Sequence, residues 1–368
     1  METVLRDFFL VVPIHFEQWA KKELLEKALF VTDVVEEKGG VSFKAPLNIG
    51  CELNYHLKIP VKILLRIDSF KARDFPKLYN SVLKLPWRQY LRSEIPQMHV
   101  TCHQSRLMNT TRIAEVAIDA FKRINVMFPP KKRNSENQAI TQEVYFRFQD
   151  DICQVSIDTS GERLHKRSYR EYSGHAPIRE NLAAGLIYYS IHKMKIKPDT
   201  IFDPMCGTGT FLAEAKTFYQ PNLSRGFHFE DFPSYQKSLI KLEYPDLMPF
   251  NTFIGSDNDQ KVIEQNQKQL KEFEIDLTIA DAFHCQIPTA NVMTIINPPY
   301  GKRVKIEGSQ KVFFDDLLTQ LLEKNSPLAL GILVPQAIPL RGFKNYREEN
   351  LNFKNGGLEI KFKLYLKI

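Results

Sequence analysis

The second half of the chain alternates short apolar segments with longer stretches of helical periodicity. This alternation begins near Pro177. It is typical of βαβ units and predicts a mainly parallel, doubly wound α/β sheet. Because such sheets bind ligands just beyond the carboxyl ends of their strands, the strand ends are the first place to expect a functional site. The predicted strands are 200–203, 252–257, 277–281, 292–297 and 328–335.

The first 160 residues follow a different pattern, in which strands outnumber helices. A strand–helix–strand–strand order up to about residue 60 predicts a small α+β unit, and a second α+β region follows it. Since 368 residues favour two or three domains, we predict units at 1–60, 61–160 and 161–368. The predicted strands are 8–13, 31–36, 41–43, 62–70, 99–103, 144–149 and 152–158, and the predicted helices are 16–29, 75–84 and 112–123.

The composition is that of an ordinary folded protein with a mild basic excess. The 50 Lys and Arg residues outnumber the 43 Asp and Glu residues, which gives a formal net charge of +7. An excess of this size suits a polyanionic partner such as nucleic acid without requiring one. The basic stretch 129–137 contains Lys131, Lys132 and Arg133. This stretch is either a solvated loop or a loop that contacts RNA phosphates.

The cysteines indicate a reducing compartment. Cys51, Cys102, Cys153, Cys206 and Cys285 are scattered and form no C-x-x-C pair, which argues against a disulfide framework and a thiolate zinc site. We therefore expect no metal. The apolar residues 8–14 lack a basic leader and a cleavage site, and residues 328–334 are too few to span a bilayer. The sequence predicts a cytoplasmic protein with no membrane partner.

A turn with two glycines follows the first predicted strand of the second half. Residues 203–210 read Asp-Pro-Met-Cys-Gly-Thr-Gly-Thr, and a helix is expected to begin near Thr210. Gly207 and Gly209 can adopt backbone angles closed to other residues and let a ligand approach the main chain. The third glycine of a dinucleotide fingerprint and the Gly-Lys-Ser/Thr ending of a P-loop are both missing. The segment instead resembles the first cofactor motif of class I methyltransferases.

That resemblance implies that S-adenosylmethionine (SAM) is the cofactor. It places Asp203 close to the amino-acid end of SAM, with the two glycines making room for the molecule. The residues of this segment that it implies in cofactor binding are Asp203, Pro204, Cys206, Gly207, Gly209 and Thr210.

Carboxylates stand at the ends of the next two predicted strands. Asp257 can accept hydrogen bonds from two vicinal ribose hydroxyls. Asp259 is the alternative for that role, but we favour it as the cap of a helix predicted over 260–273. If the chain is a methyltransferase, Asp281 accepts a hydrogen bond from the adenine amino group of SAM. Phe283 lies either near that ring or in the core.

The sequence Asn297-Pro298-Pro299-Tyr300 follows the fourth predicted strand. Two consecutive prolines fix the backbone and remove two donors, so their carbonyls point in set directions. The side-chain carbonyl of Asn297 and the backbone carbonyl of Pro298 can together accept both hydrogens of a planar exocyclic NH2 group. Tyr300 offers a flat face on which the target base can stack. The alternative is a proline-rich turn without chemistry, which the glycine turn upstream disfavours.

Several stretches along the chain resemble the RlmL family. This family comprises THUMP-containing methyltransferases that act on guanine N2 of large-subunit ribosomal RNA. Residues 164–170 and 176–184 look like the entry to its catalytic domain, and Asn355-Gly356-Gly357-Leu358-Glu359 resembles its terminal hairpin. The segments that match in the same order are 203–210, 229–232, 255–257 and 297–303.

The resemblance extends over the whole chain and is looser in the N-terminal part. It implies a ferredoxin-like unit at 1–60, a THUMP RNA-binding domain at 61–160 and a Rossmann-like class I methyltransferase domain at 161–368. It further implies that Arg179 lines the cofactor pocket, although Arg179 and Glu180 could instead complement the charge of a helix start. Lys302 and Arg303 are implied in RNA binding, but Lys302 stands where an acidic residue is common in the family. We expect one methyltransferase module, without the second that some members carry.

Four functions stay open on the sequence. We favour methylation of guanine N2 in RNA, with ribosomal RNA ahead of transfer RNA. Adenine-N6 methylation of DNA and methylation of a protein glutamine would also use Asn-Pro-Pro-Tyr, but the N-terminal α+β region disfavours the glutamine substrate. The fourth function, RNA binding by an inactive methyltransferase fold, is disfavoured by the intact Asp203, Gly207, Gly209 and Asn297.

Overall fold

The computed structural model describes residues 4–28, 30–92, 95–127, 141–167, 178–236, 248–286, 291–299 and 309–368. The chain forms two units, and each is assembled from separate segments. The first unit contains Met1–Val12, Lys27–Leu164 and Arg225–Leu242. The second contains Pro13–Glu26, His165–Ser224 and Glu243–Ile368.

The helices and strands agree closely with the sequence pattern. The helix over 75–84 and the strands over 152–158, 200–203 and 252–257 are confirmed residue for residue. In chain order up to residue 158 the elements are β1 Leu5–Val11, α1 Glu17–Lys27, β2 Thr32–Glu37, β3 Gly40–Pro46, α2 Leu47–His56, β4 Lys62–Lys71, α3 Phe75–Lys84, β5 Gln97–His103, α4 Thr110–Met127, β6 Glu143–Gln149 and β7 Ile152–Asp158. From residue 180 they are α5 Glu180–Lys193, β8 Thr200–Asp203, α6 Thr210–Thr217, β9 Thr252–Asp257, α7 Gln260–Gln269, β10 Asp276–Ile279, β11 Val292–Ile296, α8 Gln310–Leu318, β12 Ala329–Pro335, β13 Tyr346–Asn355 and β14 Leu358–Lys367.

A seven-stranded sheet organises the first unit, in the order β2-β3-β1-β4-β7-β6-β5. Neighbouring strands are antiparallel except for the parallel pair β5 and β6. A row of buried side chains crosses five of the strands in register. The strands predicted on either side of residue 60 thus belong to one continuous sheet. The residues of this row are Phe43, Phe8, Leu65, Ile157 and Val144.

Two segments of the chain belong to a different unit from the residues that flank them in sequence. In the second unit, Trp19 of α1 contacts Tyr189 of α5 edge-on, with ring centroids 5.0 Å apart. In the first unit, the Tyr55 hydroxyl of α2 donates a 2.7 Å hydrogen bond to the Glu230 carboxylate. The helix predicted inside unit 1–60 therefore packs with the later part of the chain. A segment from the predicted methyltransferase region packs with the earlier part.

The second unit contains the mainly parallel sheet that the sequence predicts. Its strand order is β10-β9-β8-β11-β12-β14-β13. The first five strands run parallel, and β14 is antiparallel to both β12 and β13. From β8 the chain fills one side of the sheet with β9 and β10, and then the other side with β11 and β12. The order of the strands therefore reverses between β8 and β11.

Two local features of this sheet refine the sequence interpretation. Strand β10 ends at Ile279, so Asp281 lies in the turn after the strand and not at its last position. The hairpin of β13 and β14 turns at Gly356 and Gly357, whose φ angles are +58° and +84°. Positive φ at both central residues is the requirement of a tight hairpin turn. This confirms the terminal hairpin expected around 355–359.

Every residue of β11 is buried. Phe314 and Leu317 of α8 and Leu321 of the π-helical turn that follows pack in one apolar cluster with Val292 and Ile296 of β11. This packing fixes the strand that carries Asn297 at its end. Among the described helices, none combines the length and the apolar character needed to cross a bilayer.

Candidate active site

Four of the residues singled out in the sequence lie at one edge of the parallel sheet. Asp203 is the last residue of β8, Asp257 the last of β9, and Asn297 directly follows β11. Asp281 lies two residues beyond the end of β10. Strand β8 pairs with β9 on one side and with β11 on the other. This is the switch point at which doubly wound sheets bind ligands.

The glycine turn is held by a short series of hydrogen bonds. The amide of Gly209 donates to the carbonyl of Cys206 at 2.7 Å, and the amide of Cys206 donates to the carbonyl of Ser256 at 2.9 Å. Gly207 and Gly209 have φ angles of +49° and +68°, in the region that favours glycine. Helix α6 begins at Thr210, as predicted.

The two glycines differ in what surrounds them. A Cβ atom added to Gly209 would lie 2.5 Å from Cδ1 of Leu270, so this glycine makes room for α7 and the residue that follows it. A Cβ atom added to Gly207 would meet no protein atom within 4 Å. Gly207 thus borders open space at the strand ends, which fits a ligand that approaches the main chain. A contact of Gly209 with the cofactor stays a prediction.

Asp203 is almost fully buried, with 2% of its surface exposed. Burial raises the pKa of this carboxyl well above its ordinary value, although it accepts a 3.1 Å hydrogen bond from the amide of Met205. A buried carboxylate is stabilised when a cationic group lies next to it. The ammonium group of an amino acid is such a cation, so the environment of Asp203 fits the amino-acid end of SAM.

The two carboxylates after β9 have separate roles. Asp257 accepts a 3.0 Å hydrogen bond from the amide of Gly207 through one oxygen and a 3.1 Å hydrogen bond from the amide of Asp259 through the other. Each carboxylate oxygen has a second lone pair with which it can accept a ribose hydroxyl. The Asp259 side chain accepts from the amide of Lys261 at 2.9 Å and caps α7. The capping role favoured for Asp259 is confirmed.

Asp281 is exposed beside β10. One carboxylate oxygen accepts from the amide of Phe283 at 3.0 Å, and the other lies 2.9 Å from Nδ1 of His284. These contacts, the amide of Phe283 first, lower the pKa of Asp281. The group is therefore an ionised acceptor at neutral pH. The Phe283 ring contacts Phe313 edge-on at 5.3 Å, so it packs on the core as well as bordering this turn.

The remaining predicted residues fall into three groups. Asn297 and Pro299 are half-buried and Pro298 is buried, directly after β11. Pro204, Cys206 and Thr210 are buried in the glycine turn, whereas Arg179 is exposed and precedes α5 as its cap residue. The predicted residues outside the described part of the chain are Lys131, Lys132, Arg133, Tyr300, Lys302 and Arg303.

The structure adds a residue that the sequence analysis missed. Asn266 of α7 is fully buried, and its side-chain amide donates to the carbonyl of Gly207. The available signal was its position between Ile263 and Leu270, where helical spacing places a polar residue on a buried apolar face.

A buried ion pair in the same unit was not predicted from the sequence either. The guanidinium of Arg167 faces the carboxylate of Glu214 on α6, with two N–O distances of 3.4 Å. Arg167 lies 47 positions earlier in the sequence, so no local pattern joins it to Glu214. Among the described residues, no group of three or more His, Cys, Asp or Glu side chains could hold a metal ion.

Comparison with protein families finds a match in the second half of the chain. Residues 167–342 match the model of UPF0020, the RMKL-like methyltransferase domain. This segment is similar to RMKL-like methyltransferase domains. The match confirms the family resemblance seen in the sequence, and the matched segment contains every strand that contributes to the site.

Similarity to curated proteins extends beyond the segment 167–342. The chain is 27% identical over 382 residues to the ribosomal RNA large subunit methyltransferase K/L of Shewanella amazonensis, an alignment that covers 98% of this chain and 53% of that protein. The chain thus spans about half the length of the curated relatives it matches.

Solved structures share the fold over the whole chain. The protein SMU.472, solved as a complex with S-adenosylhomocysteine (SAH), superposes with a TM-score of 0.79 at 23% identity and covers 100% of this chain and 99% of its own. A predicted N6-adenine-specific DNA methylase from Listeria monocytogenes superposes with a TM-score of 0.76 at 22% identity and covers 98% and 96%. At these identities the likeness demonstrates a methyltransferase-like α/β fold.

Proposed function

We propose that this protein uses SAM to methylate an exocyclic amine on an RNA base, and that the base is guanine, modified at N2 in large-subunit ribosomal RNA. The observation that carries the proposal is the pairing of β8 with β11 at the switch point. This pairing brings the glycine turn and Asn297-Pro298-Pro299 to the same edge of the sheet.

The arrangement suits a reaction without a covalent intermediate. A base amine is a weak nucleophile because its lone pair is delocalised into the ring. Asn297 and the carbonyl of Pro298 accept its two hydrogens and orient the nitrogen toward the methyl donor. When bound, SAM supplies a methyl group on a positively charged sulfur. Asp203, Asp257 and Asp281 accept hydrogen bonds from its ammonium, ribose and adenine groups.

RNA as the substrate is supported by three observations. The named relatives are ribosomal RNA methyltransferases. The chain carries a net charge of +7. The first unit adds a seven-stranded α+β module to the catalytic one, and we propose that it comprises the ferredoxin-like and THUMP units and binds the RNA. The Lys131–Arg133 loop, Lys302 and Arg303 are proposed to contact phosphates.

Labelling with radioactive SAM tests the proposal directly. The protein is incubated with unmodified ribosomal RNA, transfer RNA, DNA or a protein release factor, and the labelled product is identified by mass spectrometry. We expect N2-methylguanine in the large ribosomal RNA. Label in DNA alone, as N6-methyladenine, would contradict the RNA substrate, and label in transfer RNA alone would redirect the proposal to that RNA.

Gly207→Ala tests whether the open space beside Gly207 receives the cofactor. The new Cβ meets no protein atom, so the fold should survive at a backbone cost of about 1–2 kcal/mol. We expect the dissociation constant for SAH, measured by calorimetry, to rise about 10-fold or more. Gly356→Ala is the matched control, because its φ is +58° and its Cβ is equally uncrowded. Equal SAH affinity in both variants would show that Gly207 does not line the cofactor pocket.

A further inference from the structure

Both polar backbone groups of Gly207 are held by side chains from elsewhere in the fold. Its amide donates to Asp257 at the end of β9 at 3.0 Å. Its carbonyl accepts a hydrogen bond from the side-chain amide of Asn266 on α7. Gly207 has no side chain of its own to pack, and its φ of +49° is one of many that glycine can adopt. The two hydrogen bonds therefore stabilise this conformation of Gly207 over the others that glycine can adopt.

The Asn266 contact also orients the next peptide group. In a trans peptide the carbonyl oxygen and the following N–H point in opposite directions, and the described residues contain no cis peptide. Asn266 draws the Gly207 carbonyl toward α7, so the amide of Thr208 is directed away from α7. The orientation of the main chain that borders the open space thus depends on a side chain 59 positions later.

Asn266 is well suited to hold a fixed position. It is 0% exposed and lies between Ile263 of the same helix and Leu270 directly after it, both of which are buried. Helix α7 is itself anchored by Asp259, whose side chain caps its first turn. Since Asp259 follows Asp257 by two residues, the strand end and the helix that grip Gly207 form one local structure.

We propose that Asn266 is a positioning residue for the cofactor: through the Gly207 carbonyl it holds the glycine turn in the conformation that binds the amino-acid end of SAM. The inference rests on the proposed function. It names a residue that affects the binding of SAM without contacting it. Removing the amide leaves the Gly207 carbonyl without this donor and frees the turn to rotate. Both effects weaken the binding of SAM and leave the rate of the methyl-transfer step largely unchanged.

The test measures SAH affinity in Asn266→Ala and in the isosteric Asn266→Asp, with Gln267→Ala as control on the exposed side of the same helix. Calorimetry is performed well below the melting temperature of each variant. We expect the dissociation constant to rise about 10- to 100-fold in both Asn266 variants and to stay unchanged in Gln267→Ala. The KM for SAM should rise in parallel, with kcat at saturating SAM within about 2-fold of the original.

The outcomes separate this inference from the proposed function. A residue that only stabilises the fold would lower the melting temperature and leave SAH affinity intact in the folded protein, and that result would overturn the positioning role alone. A lower kcat with unchanged KM would do the same. Failure of the unsubstituted protein to bind SAH would overturn both the proposed function and the inference. Asn266→Asp keeps the side-chain shape, so it supplies the measurement if Asn266→Ala does not fold.

Discussion

Replacing Asn297 with alanine is expected to leave SAH binding unchanged and to slow methyl transfer by roughly 1,000-fold or more. Asn297 follows the fully buried strand β11, so its side chain is presented from a rigid support. The substitution removes one of the two acceptors that orient the amine, while the glycine turn, Asp203 and Asp257 stay in place. Single-turnover transfer of a labelled methyl group to ribosomal RNA measures the rate of the chemical step.

The matched control for this experiment is Asn291→Ala. Asn291 precedes the same strand at its opposite end, where its side chain donates to the Asp199 carboxylate at 2.8 Å. Its loss affects the support of β11 without touching the proposed reaction centre, so turnover should stay within a few-fold of normal. Near-normal turnover in Asn297→Ala would show that the tetrapeptide is not catalytic. Loss of SAH binding would give Asn297 a role in the pocket instead.

Glu214→Ala is expected to lower the free energy of unfolding of the second unit by about 3–5 kcal/mol. Arg167 and Glu214 are 5% and 0% exposed, so removing the carboxylate takes away the negative charge that Glu214 places beside a buried guanidinium. The chain has two tryptophans, and Trp19 packs in the second unit whereas Trp87 belongs to the first. Urea unfolding followed by Trp19 fluorescence in a Trp87→Phe background therefore reports on the second unit.

Two further variants test whether the stability lost in Glu214→Ala is due to the burial of the ion pair. Glu359→Ala removes a carboxylate that pairs with Lys354 across the exposed hairpin, where the two side chains are 56% and 72% exposed. Its cost should stay within about 1 kcal/mol. Replacing both partners by apolar residues, Arg167→Met with Glu214→Leu, should recover most of the lost stability. An effect of Glu214→Ala no larger than that of Glu359→Ala would mean that the guanidinium finds water or another partner.

The parts of the fold that the sequence predicts best are those in which burial and pattern coincide. Strands β8 and β9 each have adjacent apolar residues at their centre and end in a carboxylate, and their predicted bounds are correct. Strand β10 lies at the edge of the sheet with mostly exposed residues, so its composition does not mark its end at Ile279. Helix α2 was not predicted, and for α5 a start was expected at Arg179 and Glu180 but no end. In α5 every residue from Glu180 to Ile191 is buried, which removes the one-sided apolar stripe by which a helix is recognised.

The features of the candidate site also fall into those that the sequence predicts and those that depend on distant residues. Residues at strand ends and the cap at Asp259 are predicted from local sequence, because the residues around them mark where a strand ends and where a helix begins. The packing role of Gly209 depends on Leu270, and the orientation of Gly207 depends on Asn266. Both partners come from or directly after α7, about 60 positions away, and only the folded chain brings them to the turn.

The exchange of segments between the units affects the order in which they can be completed during synthesis. Arg225 binds the carbonyls of Ser160, Glu162 and Arg163 at 2.9, 2.6 and 3.1 Å. The first unit therefore lacks part of its own structure until residues well beyond 164 have left the ribosome. Helix α1 is made before α5 and must wait for it before Trp19 can be buried. The first unit therefore cannot complete its fold from one contiguous stretch of chain, as successive domains usually do.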